Sequence, residues 1–107
     1  MENNLNNLTS RILELLKEYG LGKYSISNYY YEGFKPIIDI CSKHGINDYA
    51  EAEIQSALNS IANDAKSGKI GKTKAAKSRK AAYFLKEYVS SGSVTLSRIS
   101  VQAHPVP

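Results

Sequence analysis

The side chains with the most chemical character in this chain are basic, and they lie together. KSGKIGKTKAAKSRK, residues 66–80, carries seven cations (Lys66, Lys69, Lys72, Lys74, Lys77, Arg79 and Lys80) and no acid. Ammonium and guanidinium groups at that density attract polyanions, phosphates above all. The stretch also contains Gly71-Lys72-Thr73, the last three letters of a nucleotide-binding P-loop. That motif needs a glycine five positions before Gly71, and Lys66 stands there. The preceding segment has a helical pattern, whereas a P-loop follows a strand. The spacing therefore argues against a nucleotide cradle.

Other chemistries are poorly supplied. Zinc needs several converging thiolate, imidazole or carboxylate ligands, and the chain offers Cys41, His44 and a distant His104. Cys41 and His44 lie three apart on one helix, so a Cys–His dyad is geometrically open. The plainer reading makes Cys41 a small hydrophobe on an apolar stripe and His44 a donor near the last helical carbonyls. No metal, cofactor or catalytic residue is assigned.

Four helices must position the basic run. The first is expected at about 8–19, with Leu8, Ile12, Leu15, Leu16 and Tyr19 at helical spacing, and is stopped by Gly20 and Gly22. The second is expected to start near Ser25 or Ser27, either of which can cap it, and to end at His44-Gly45. Its inner stripe is Ile26, Tyr30, Phe34, Ile37, Ile38 and Cys41, and Pro36 predicts a bend, with Gly33 softening the turn before it. In Tyr29-Tyr30-Tyr31 this phase turns Tyr30 inward and leaves Tyr29 and Tyr31 partly exposed. Their hydroxyls then face water or donate to a phosphate. The third helix, to about Ser67, carries Tyr49, Ala50, Ile54, Ala57, Leu58, Ile61 and Ala65 inward, with Asp48 as N-cap and Glu51 completing a capping box. Gly68 follows it. The fourth, from about Thr73 to Ser90-Ser91-Gly92, buries Ala81, Ala82, Phe84, Leu85, Tyr88 and Val89. Short connections imply antiparallel neighbours in a compact bundle. Residues 93–107 look extended. Val94, Leu96, Ile99 and Val101 can pack singly or as a short strand, and Pro105 and Pro107 suggest a linker.

On the fourth helix, Lys72, Arg79, Tyr83 and Lys86 fall on one side at about 100° per residue, with Lys80 near its edge. Lys69 and Lys72 flank the helix start, whose free amides also attract anions. Arg79 can meet a guanine edge with its planar fork, while the lysines suit phosphates.

Composition sets the outer bounds. A chain of 107 residues, 42% apolar, fits one domain with a modest core. One cysteine excludes an internal disulfide and suits a reducing, cytoplasmic setting. The polar start MENNLNNLTS is no secretory signal, and no apolar run can span a bilayer. A soluble protein without membrane partners is expected. Charge is unevenly spread: residues 1–65 hold nine acids and five bases, whereas residues 66–107 hold nine bases and only Glu87. A polyanion-binding surface leaves that asymmetry.

The order of these pieces resembles a known family. Tyr24-Ser25-Ile26-Ser27-Asn28-Tyr29 leads into a helix ending Cys41-Ser42-Lys43-His44-Gly45-Ile46. Next come a helix ending Lys66-Ser67-Gly68-Lys69-Ile70, the run Lys77-Ser78-Arg79-Lys80-Ala81-Ala82-Tyr83-Phe84-Leu85-Lys86-Glu87-Tyr88, and Ser91-Gly92-Ser93-Val94. Over about residues 5–99 this is similar to the N-terminal SAM-like, core-binding domain of phage integrases and other tyrosine site-specific recombinases. Arg79 to Leu85 spans one residue more than the family pattern.

The resemblance implies an all-α, compact four-helix SAM-like bundle over residues 1–92, with residues 93–107 as an extended tail or the start of an interdomain linker. It implies that the domain clamps double-stranded DNA together with a catalytic recombinase domain, its second and fourth helices approaching the major groove. Ser25, Ser27, Asn28 and Tyr29 become contact candidates on this basis. They join Lys69, Lys72, Lys77, Arg79, Lys80, Tyr83 and Lys86. The family's Arg/His pocket and nucleophilic tyrosine belong to the following domain and are absent here, so this chain is expected to bind without cutting. The end AHPVP is compatible with a break inside the linker. The alternative is a helical protein–protein interaction module, since such domains also contact neighbouring protomers. DNA binding calls for a continuous positive surface joining Lys72, Arg79, Lys80 and Lys86 to the start of the second helix. The alternative calls for Glu32 or Glu87 interrupting it and for an exposed apolar patch.

Overall fold

A computed structural model describes residues 3–95. The expected positions Leu96, Ile99, Val101, His104, Pro105 and Pro107, and with them most of the expected tail, lie outside the described residues. The fold is all-α, built from four helical rods, with no strand among the described residues. The rods are α1 (Leu5–Glu18); a second made of α2 (Lys23–Asn28), a π-helical turn (Tyr29–Phe34) and α3 (Lys35–Lys43) in unbroken succession; α4 (Glu51–Lys66); and α5 (Lys72–Ser91). The glycines after α1, α3, α4 and α5 all have positive φ. At Gly92 (φ 77°) this lets the N–H turn back onto the Tyr88 carbonyl, a left-handed stop that a side chain would strain.

Helix starts differ from the local signals. α1 begins at Leu5, earlier than the expected Leu8, because Asn4 caps it, its side chain accepting the Asn7 N–H at 3.1 Å. Residues 3–5 also pair with residues 47–49. Leu5 N–H donates to the Asn47 carbonyl, and Tyr49 N–H to the Asn3 carbonyl, both at 2.8 Å. That bridge takes Asp48 away from its expected capping role. α4 starts at Glu51, preceded by Ala50 and without a side-chain cap. Neither Ser25 nor Ser27 caps the second rod; Gly22 precedes it and both serines lie inside α2.

The core is one cluster drawn from every rod. Leu5, Leu8, Ile12 and Leu16 come from α1, Phe34, Ile37 and Cys41 from the second rod, Ile54, Ala57 and Ile61 from α4, and Ala81, Phe84 and Leu85 from α5. Full burial of a large apolar side chain such as Phe34 or Phe84 stabilises by about 1.5–3 kcal/mol. Val94 closes one end, its carbonyl accepting the Tyr19 hydroxyl at 3.3 Å. Thr95 is held to Glu87 by both its N–H and its hydroxyl.

The bend expected at Pro36 takes a particular form. Lys35 N–H reaches back five residues to the Tyr30 carbonyl, the wide closure of a π turn. Pro36 has no N–H for the carbonyl four residues earlier, that of Glu32. The buried Ser78 hydroxyl of α5 donates to that carbonyl at 3.1 Å. α5 crosses close enough that a Cβ on Gly33 would lie 3.0 Å from the Lys77 carbonyl oxygen and 3.2 Å from the Ala81 Cβ. Gly33 is therefore a point of close approach between the two rods, beyond the softened turn that the sequence suggests.

The extra residue in the π turn also resets the phase of the three tyrosines. Tyr29, expected to be partly exposed, is buried (5% accessible), and Tyr30, expected on the inner stripe, is half-buried. Tyr31 stays exposed, as expected, at 59%. Counting back from Phe34, an α-helical turn brings Tyr30 inward, whereas a turn wider by about one residue brings Tyr29.

Candidate nucleic-acid interface

α5 carries the basic run on both flanks of its buried seam of Ala75, Ser78, Ala82 and Leu85. Lys77 and Lys80 turn toward the second rod. There they line a cleft with Ser25, Asn28, Tyr29, Thr73 and Ala76. The cleft encloses about 190 Å³ and no carboxylate lines it. Its floor is aromatic: the Tyr29 ring packs against Phe84 at 5.8 Å between centroids, and Lys77 Nζ lies 5.7 Å from the Tyr29 centroid. Burial pushes the Tyr29 phenol up from its ordinary pKa.

Arg79, Tyr83 and Lys86 lie on the other flank. They line a separate groove of about 440 Å³ with Tyr49, Glu51, Ile54, Gln55 and Leu58 of α4 and its approach. Lys86 pairs there with Glu51 at 3.1 Å, which raises the Lys86 pKa. Glu51, rather than Glu32 or Glu87, is the acid that enters the basic flank. Lys80, expected at the edge of the Lys72–Arg79–Tyr83–Lys86 side, belongs to the cleft instead. Lys69 is exposed in the loop before α5, and Lys72 is exposed at its first residue.

Of the contact candidates, Ser25, Asn28, Tyr29, Lys77 and Lys80 are brought together, whereas Ser27 is not. Ser27 lines a third groove with Lys17, Leu21, Lys23, Ile26, Tyr30 and Tyr31. Thr73 was not singled out from the sequence, although it stands four residues before Lys77 and seven before Lys80, on the same helical face.

The remaining candidates behave as ordinary structure. Cys41 is buried, and burial raises its thiol pKa, which suits a core residue and not a nucleophile. His44 is the exposed C-cap of α3. Among the described residues no three His, Cys, Asp or Glu side chains gather as a metal site, and no helix is long and apolar enough to cross a membrane.

No family model matches the chain, and neither a curated protein nor a solved structure does.

Proposed function

We propose that this chain is a DNA-binding domain that grips the backbone of double-stranded DNA. In the manner the recombinase resemblance implies, it positions the duplex for strand exchange by a separate catalytic domain and performs no chemistry itself. The observation that carries this reading is the carboxylate-free cleft in which Lys77 and Lys80 of α5 meet Ser25 and Asn28 of α2. Lysines beside hydroxyl and amide donors are the usual equipment for phosphate contact. Lys69 and Lys72 extend the cationic edge past the helix start, and Arg79 remains the candidate for a base edge.

The test is a fluorescence titration of a labelled duplex at several salt concentrations. Four phosphate contacts, by Lys69, Lys72, Lys77 and Lys80, give a slope of log K against log salt of about −3 to −4. Absence of binding at low salt would rule the reading out.

A second reading, a helical protein-interaction module, is favoured by the third groove. Leu21, Ile26, Tyr30 and Tyr31 form an apolar wall there, enclosing about 470 Å³ with Lys17 and Lys23 at its edge. Grooves of this kind suit a partner's apolar side chains. The same duplex titration separates the two readings.

A further inference from the structure

The cleft between α2 and α5 contains a polar group that the fold leaves without a protein partner. The Tyr29 ring is buried in the core cluster, and the residue lines the cleft. Its ring is held by Phe84 and by Lys77, but among the described residues its hydroxyl takes part in no hydrogen bond. The hydroxyl is not a buried unpartnered atom, so it keeps access to solvent and is open to a ligand that enters the cleft. Around it stand groups of one chemical kind. Ser25, Thr73 and Asn28 supply neutral donors, and Lys77 and Lys80 supply cations. With no carboxylate in the lining, a metal cation has nothing to bind, whereas an anion with several acceptor oxygens meets donors from both rods.

We infer that this cleft is a phosphate pocket: one tetrahedral phosphate oxyanion sits between α2 and α5, accepts the Tyr29 hydroxyl, and is neutralised by Lys77 and Lys80. The site deepens the DNA reading and rests on it only for the source of the phosphate. A backbone phosphodiester and a free phosphate share the chemistry that the pocket recognises. The pocket differs from a charged surface in requiring a neutral group, the Tyr29 hydroxyl, which general electrostatic attraction would ignore.

The probe is inorganic phosphate, titrated at constant ionic strength against the ¹⁵N-labelled chain and followed by amide NMR shifts. Saturable shifts centred on residues 25–29 and 73–80 are expected. Tyr29→Phe keeps the ring and its packing and should weaken binding about tenfold, the effect of losing one hydrogen bond to a charged group. Lys77→Met should weaken it at least as much, while Lys43→Met, exposed at the end of α3 and outside the cleft, should leave it unchanged. Shifts that never saturate, that follow the lysines indiscriminately, or that are the same in Tyr29→Phe overturn the pocket.

A second arm assigns the source. If the phosphate is DNA's, duplex and inorganic phosphate compete, and Tyr29→Phe weakens the duplex without changing its salt slope, because no charge is lost. Lys77→Met then lowers that slope by about one. Saturable phosphate binding that the duplex does not displace supports the pocket and assigns it to a free phosphate. Failure of the duplex to bind removes the DNA reading, while the phosphate titration still decides the pocket.

Discussion

At the level of single residues, buried polar groups show how the fold spends its hydrogen bonds. Ser78 is fully buried, yet it is satisfied by the Glu32 carbonyl that Pro36 leaves open. Thr9 is also buried, at 2% accessible, and its hydroxyl has no partner among the described residues. An unpaired buried hydroxyl costs about 1–3 kcal/mol, and valine has nearly the same shape and helix propensity as threonine. Thr9→Val is therefore expected to be neutral or to stabilise by up to about 1–2 kcal/mol. A urea melt that shows it clearly destabilised would mean that the hydroxyl is paired in solution.

At the level of elements, the second rod depends on α5 for its shape. Ser78→Ala should cost about 1–3 kcal/mol, because it strands the Glu32 carbonyl in the interior. In a Pro36→Ala background, residue 36 regains an N–H that can serve that carbonyl, so Ser78→Ala should cost less there. A double-mutant cycle should show a coupling of about 1 kcal/mol, and simple additivity would refute the linkage. Most of the architecture was legible from hydrophobic spacing: all four rods, their glycine stops and the stripes through Ile12, Ile37, Ile61 and Leu85. Starts were less legible. Asp48 looks like an N-cap locally but is taken up by a pairing with Asn4 more than forty residues away in the chain. Pro36 announces a missing donor without saying where the slack goes. Only the crossing of α5 at Gly33 shows the wide turn that brings Tyr29 inward. The resemblance makes Tyr29 a contact candidate while the local pattern leaves it partly exposed, and Thr73 carries no local signal at all. Their meeting depends on how two helices cross.

At the level of the whole molecule, charge is segregated by chain half. Residues 1–65 carry nine acids against five bases, and residues 66–107 carry nine bases against one acid. Among the described residues, the basic half forms one ion pair with an acid of the other half, Lys86 with Glu51. Changing Lys69, Lys72, Lys77 and Lys80 together to Gln should remove most duplex affinity and bring the salt slope close to zero. Changing Lys17, Lys23, Lys35 and Lys43 should leave the slope nearly unchanged, although it removes the same formal charge. Equal losses in the two sets would mean that net charge, and not the α5 edge, drives binding. The three consecutive tyrosines have a mechanical consequence as well. Their wide turn works like a gear with one spare tooth. Deleting a single tyrosine would restore ordinary helical closure and leave everything before it in nearly the same phase, because the wide turn already absorbs the extra residue. Ser25 and Asn28 would stay at the cleft, and Ile37 and Cys41 would keep their seats in the core. The rod therefore tolerates a change in length of one residue at this turn without redirecting either of its halves.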